Sequence, residues 1–170
     1  MKKKPTILIL GLAGAGKDEL AEIWEAEFGM TFQSSSRAAL DNFLFDIIHK
    51  HLGYATKEEA FRDRVNHRAL WYQLISMYNS KDPLRLAKEI LKTSDCYVGM
   101  RRKEEVALAP TLFDHIIWVD ASERVPMESS NSQSLDPTQI PITMNIMNND
   151  SKATFRDTAI KAGRTIFKKT

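Results

Sequence analysis

The chain has 170 residues, 43% hydrophobic and 27% charged, with a formal net charge of +2. That composition fits one globular domain, or one domain with a small insert, and the charge is too small to argue for nucleic-acid or membrane binding. The lone Cys96 excludes an internal disulfide framework and a cysteine-rich metal site.

No apolar stretch reaches the ~20 residues that span a bilayer. The basic start followed by an apolar run imitates a signal peptide, but the glycine cluster and Lys17-Asp18 give that run a better explanation. The expected location is the cytoplasm.

The first strand is read over Thr6 to Leu10, short, apolar and bounded by Pro5 and Gly11. A helix follows from Lys17 to about Phe28, ending before Gly29. Met30 to Ser34 reads as a second strand. Ser35 and Ser36 are N-cap candidates for a helix over Arg37 to His51, striped by Leu40, Phe43, Leu44, Ile47 and Ile48. Thr56 is positioned to cap a helix running from about Lys57 to Tyr78. Asp82-Pro83 opens another helix, through Lys92. Cys96 to Met100 has the character of a buried strand. A short helix from Arg102 to Ala109 stops at Pro110, and His115 to Asp120 forms the next strand.

Residues 121–141 are rich in Ser, Asn, Gln and Pro, the composition of a lid or functional loop. Ile142 to Met147 returns to strand character, and a helix over Lys152 to Lys168 closes the chain. Strands alternating with helices predict an α/β fold with a mostly parallel sheet. Ligands of such sheets sit at the carboxyl ends of the strands.

One motif is specific. Gly11-Leu12-Ala13-Gly14-Ala15-Gly16-Lys17 matches G-x-x-x-x-G-K, with a strand before it and a helix after it. Glycines let backbone N–H groups approach phosphate oxygens closely, and the helix start adds a positive dipole end. Lys17 is expected to reach the β- and γ-phosphates of ATP. Asp18 stands where Ser or Thr usually binds Mg²⁺. A carboxylate is also a hard oxygen ligand, so Asp18 is a candidate metal positioner. The other reading is an acid in a helix's first turn, as for Glu19 beside it.

A kinase also needs cations for its acceptor and for the charge developing on the transferred group. The candidates are Arg37, Arg64, Arg68, Arg101 and Arg124, while Arg62 and Arg102 are read as solvent-facing. Arg64 and Arg68, four apart on one predicted helix, share a face. Arg101 follows a buried strand at the ligand-facing edge. Asp120 ends the fourth strand, where it either holds metal or caps the connection that follows; Asp95 lies at the opposite edge. Trp71 and Tyr72 either wall a base pocket or belong to the core. The four histidines show no metal-ligand spacing.

Several stretches together carry a family resemblance: "GLAGAGKD", "YVGMRRKEE", "IIWVDASERVP" running into a Ser-rich segment, and "MNIMNNDS". In this order they resemble the deoxynucleoside monophosphate kinases of tailed bacteriophages, within the adenylate-kinase-like P-loop phosphotransferases. The resemblance implies a five-stranded parallel sheet in the order 2-3-1-4-5 with helices on both faces, a substrate-binding helical region at about 37–92, and a lid at about 121–141. It implies transfer of the ATP γ-phosphoryl to a (deoxy)nucleoside 5′-monophosphate with Mg²⁺.

By the same resemblance, the loop from Gly11 to Asp18, with Ala13, Gly14, Ala15, Gly16 and Lys17, binds the ATP phosphates and the metal; Glu19 beside it is a further ATP-site candidate. Asn148 and Asn149 lie near the ATP base. Arg37 and Arg101 face the acceptor, and Arg124 closes from the lid onto the transferring group; read from the residues themselves, Ser36, Arg64, Arg68 and Trp71 are further acceptor-site candidates. Asp120 is a second metal candidate.

The sequence departs from the family at Val98, where an acid is common before Gly-x-Arg, and at Asp150, where glycine is common. Two alternatives stand beside this function: a P-loop kinase for another small metabolite, and a nucleotide-binding protein without turnover. The expected partners are small nucleotides, with neither nucleic acid nor membrane; a homodimer stays open.

Overall fold

A computed structural model describes residues 4–126 and 135–167. The lysines at positions 2, 3, 168 and 169 and residues 127–134 of the expected lid lie outside the described residues.

Five parallel strands form one sheet in the order β2-β3-β1-β4-β5. They are β1 (Ile7–Leu10), β2 (Phe32–Ser34), β3 (Cys96–Val98), β4 (His115–Asp120) and β5 (Met144–Met147). All four residues of β1 are fully buried, as expected of a central strand covered on both faces. Alternation along the strand splits them between two cores. Leu8 and Leu10 face a core with Trp71, Tyr97, Leu86 and Trp118. Ile7 and Ile9 face a core with Trp24, Ile117, Ile146 and Phe155.

The second core is closed by α1 (Lys17–Phe28) and α8 (Lys152–Phe167). The indole N–H of Trp24 donates to the carbonyl of Ala159 at 2.7 Å. Phe28 and Phe167 stack with ring centroids 4.9 Å apart. Gly163 lets the two helices approach this closely: a Cβ there would lie 2.2 Å from Cε2 of Phe28 and 2.8 Å from its Cζ. That ring also stacks on Phe167, so moving it away would cost that contact. Gly163→Ala therefore sets a helix-propensity gain of about 1 kcal/mol against an overpacking cost of about 1–3 kcal/mol. Net destabilisation is expected, lowering the melting midpoint by roughly 2–6 °C; an unchanged or higher midpoint in a thermal melt would refute the close contact.

The other core is covered by a chain of short helices: α2 (Ser35–Ala39), α3 (Phe45–Leu52), α4 (Lys57–Asp63), α5 (Arg68–Tyr78), α6 (Arg85–Ile90) and α7 (Lys103–Leu108). Here the structure corrects four element readings. The N-cap of α2 is Ser34, whose hydroxyl accepts the N–H of Arg37; the Ser35 hydroxyl instead donates to the carbonyl of Gly99 at 3.1 Å. The expected helix over Arg37 to His51 is interrupted by a wider π turn at Leu40–Leu44. The expected helix over Lys57 to Tyr78 is two helices joined by a 3₁₀ turn at Arg64–Asn66 and by His67. Asp63 explains that break. Its carboxylate takes hydrogen bonds from Tyr54 Oη and Asn66 Nδ2 and faces His67 Nε2 at 3.1 Å, so local side-chain bonds compete with the helical ladder. The helix expected from Asp82-Pro83 starts only at Arg85, because Asp82 Oδ1 accepts the N–H of Leu84 in a turn.

Thr56 caps α4 in a full capping box with Glu59, as its sequence position suggests. β5 starts two residues later than read, since Thr143 bonds Ile116 of β4 through its hydroxyl.

Candidate active site

The phosphate loop joins β1 to α1. Gly11, Gly14 and Gly16 all have positive φ, at 152°, 77° and 97°. Two of them are sterically required: a Cβ on Gly11 would lie 2.7 Å from the carbonyl oxygen of Val119, and one on Gly16 would lie 2.4 Å from Nδ2 of Asn148. The left-handed Gly16 is the N-cap residue of α1, with no side-chain cap on the helix's first N–H groups. Uncapped N–H groups at a helix start are donors for an anion.

Lys17 arches back over the loop. Its ammonium donates to the carbonyls of Gly11 and Leu12 at 2.9 and 2.7 Å. Asp18 and Glu19 are acids in the first turn of α1, and Asp18 is exposed. Among the described residues no group of three or more His, Cys, Asp or Glu side chains gathers as a metal site. Mg²⁺ in a phosphotransferase takes one or two carboxylates plus phosphate and water oxygens, so a lone Asp18 beside the loop fits that ion. Asp120 is used structurally: its Oδ1 accepts the N–H of Ser122 at 2.8 Å, and its backbone carbonyl accepts the N–H of Asn148. Of its two readings, the cap is the one with a bond.

The far wall of the loop comes from the turn after β5. Asn148 is 4% exposed, and its amide donates to the carbonyl of Ala15 at 2.8 Å. Arg124 was expected to swing in from the lid. The structure places it against the loop itself, with Nε on the carbonyl of Asn148 and Nη2 on the carbonyl of Ala15 at 3.3 Å. Asn149 accepts the N–H of Glu123 through Oδ1, while its Nδ2 is buried without a partner. A buried orphan amide costs free energy unless something else accepts it, which makes it a candidate donor to a ligand. Next to this wall a shallow apolar pocket opens between Leu12, Trp118, Val125 and Leu135.

On the opposite side, the break between α4 and α5 redirects the arginines. Arg64 lies with its guanidinium 3.9 Å from the Phe61 ring centroid and donates to the carbonyl of Phe61 at 2.8 Å. Burial pulls its pKa down; Asp18 opposes that shift and Arg68 adds to it. Asp18, Arg64 and Arg68 are therefore electrostatic neighbours, although Arg64 and Arg68 stand in different elements rather than on one helical face. Arg37 also lies over Phe61, at 5.5 Å, held by Asp41 at 3.2 Å and Glu58 at 3.1 Å. Ser36 sits in the first turn of α2 beside it.

Trp71 meets Phe61 edge-on, with centroids 6.4 Å apart. It is 3% exposed in the core, yet its indole N–H has no partner. Cys96 is a fully buried core residue whose thiol burial pushes up.

Arg101 follows Gly99 and Met100 in the turn after β3 and is half-buried. Arg102, expected to face solvent, instead turns inward, donating to the carbonyl of Ser76 at 3.3 Å. It faces Glu105, a 3%-exposed carboxylate that sequence reasoning missed. Burial raises the Glu105 pKa; the Asn79 amide and Arg102 pull it back toward the charged form. Position five in a charged "RRKEE" run carries no signal of burial.

No family model matches the sequence, and no curated protein matches it. Solved structures do. A gluconokinase from Sinorhizobium meliloti 1021 aligns over 99% of this chain and 97% of its own, at 14% identity and TM-score 0.52. A sugar kinase from Janibacter sp. HTCC2649 aligns over 98% and 95%, at 13% identity and TM-score 0.47. The chain shares its fold with the gluconokinase. Among the described residues no helix is long and apolar enough to cross a membrane.

Proposed function

We infer that the protein is a phosphotransferase that moves the γ-phosphoryl of ATP to a small phosphorylated acceptor, a (deoxy)nucleoside 5′-monophosphate. What supports this reading is the loop of Gly11, Gly14 and Gly16 with the Lys17 ammonium arched over it, together with Arg64, whose guanidinium is within electrostatic reach of both Asp18 and Arg68. Two guanidiniums next to a phosphate loop suit an acceptor that brings its own phosphate.

Phosphoryl transfer asks the protein mainly for alignment and charge stabilisation. In this reading the loop amides, the start of α1 and Lys17 hold the triphosphate. Lys17 exchanges the Gly11 and Leu12 carbonyls for β- and γ-oxygens. Asp18 would be the residue that holds Mg²⁺, an ion that would supply charge neutralisation to the phosphates. Arg101, Arg64 and Arg68 hold the acceptor phosphate, with Arg37, Ser36 and Trp71 around the rest of the molecule. Arg124 keeps the Ala15 carbonyl and the turn after β5 together, and the orphan Asn149 amide is the donor on offer to the ATP base.

A second reading keeps the fold and loop but takes a sugar or sugar acid as acceptor; the gluconokinase-like fold favours it. One experiment separates the two. Purified protein is incubated with ATP, Mg²⁺ and, in turn, each common dNMP and NMP, gluconate and simple sugars. The expected result is a nucleoside diphosphate from at least one acceptor. Product from gluconate or a sugar alone moves the assignment to the second reading. ATP binding without any product assigns a nucleotide-binding protein without turnover.

A further inference from the structure

The turn that carries Arg101 is fixed at both ends. At its start, the N–H of Gly99 donates to the carbonyl of Ile9 in β1 at 3.1 Å, and its carbonyl accepts the Ser35 hydroxyl. Gly99 has φ +95°, and a Cβ there would press on Ser35 Oγ at 3.3 Å. At its end, Arg102 reaches across to the carbonyl of Ser76, and Glu105 holds both Arg102 and Asn79. Only Met100 and Arg101 lie between these anchors.

The second anchor is unusual because its centre is a buried carboxyl group. The Glu105 Oε1 accepts the Asn79 amide at 3.0 Å and stands 3.9 Å from Nη1 of Arg102. Asn79 is itself 2% exposed and passes the link on, its Oδ1 accepting the N–H of Leu86 at the start of α6. Burying a carboxylate is costly, and replacing such a group with apolar side chains is often neutral or stabilising. A buried carboxylate that joins the N-cap residue of its own helix to Asn79 at the end of α5 is better explained by geometry than by stability.

We propose that Glu105, with Asn79 and Arg102, is a buried clamp that sets the position of Arg101, making Glu105 a positioning residue for the transfer reaction. The kinetic half of this inference rests on the assignment of Arg101 to the acceptor phosphate under Proposed function. The clamp itself does not.

Glu105→Gln keeps the side-chain volume and an acceptor for Asn79 while removing the charge that faces Arg102. Two readouts are taken. In amide hydrogen exchange on the ligand-free protein, residues 100–103 are expected to exchange about tenfold faster, with β1 and α1 unchanged. In steady-state kinetics, kcat/KM for the acceptor is expected to fall about tenfold with KM for ATP unchanged. In an Arg101→Ala background the same substitution is expected to cause no further loss, whereas a general loss of structure would lower both backgrounds alike.

Unchanged exchange at residues 100–103 overturns the clamp even in an active nucleotide kinase. Equal kinetic losses in both backgrounds overturn the positioning role. Faster exchange in a protein whose wild type makes no nucleoside diphosphate leaves the clamp standing and removes the acceptor assignment. Should Glu105→Gln fail to fold, Arg102→Gln removes the same pair from its other side and is read in the same two ways.

Discussion

Lys17→Ala is expected to reduce transfer by about 10²–10³-fold while leaving the fold intact. The magnitude is that of deleting one preorganised cation or donor from a developing anion. The fold should survive because the ammonium bonds to the carbonyls of Gly11 and Leu12, which sit in a half-exposed loop and can turn to water. Lys17→Arg should not restore activity fully: a planar fork is a poor substitute for a compact ammonium arched over two adjacent carbonyls. Initial rates at saturating ATP, paired with a thermal melt, check both halves. A variant that keeps even a tenth of wild-type turnover would remove Lys17, and with it the phosphate loop, from the chemistry.

Gly16→Ala should damage both binding and stability. Gly16 sits at φ 97°, where a Cβ costs about 1–2 kcal/mol. The added carbon would also lie 2.4 Å from Nδ2 of Asn148. Asn148 is buried and already donates to Ala15, so displacing it strands an amide at about 1–3 kcal/mol. Together these predict a melting midpoint lower by roughly 5–15 °C. The same displacement opens the wall shared by Ala15, Asn148 and Arg124. ATP affinity, measured by calorimetry, is therefore expected to fall by at least about tenfold, since misplacing loop amides by an ångström is enough for such losses. A variant that melts normally and binds ATP normally would mean that the turn after β5 does not abut the loop.

The two predictions differ in what they needed. The expected role of Lys17 was readable because it follows from a contiguous motif with the correct elements on either side. The reason Gly16 tolerates no side chain was not, because Asn148 reaches it from 132 positions along the chain. The same contrast runs through the fold. β4 was read at His115–Asp120 and found there, since an isolated apolar run of strand length needs no partner to be recognised. The order of five strands came from resemblance and agrees with the structure. The long helix over Lys57 to Tyr78 was misread because its apolar period continues unbroken through Arg64–Asn66. Its interruption depends on Asp63 gathering Tyr54, Asn66 and His67.

The sequence by itself determined the alternation of strands and helices, the glycine loop with its lysine, the fourth strand and a surplus of arginines. All of these are local patterns of hydrophobicity, glycine and charge. Only the tertiary structure decided which arginines meet. Arg64 is turned over Phe61, Arg124 is bound to the phosphate loop, and Arg102 is folded in onto Glu105. The reason is physical. An arginine side chain is long and costs little to redirect, so its partner is set by whichever carbonyl, ring or carboxylate the packing of other elements brings within reach.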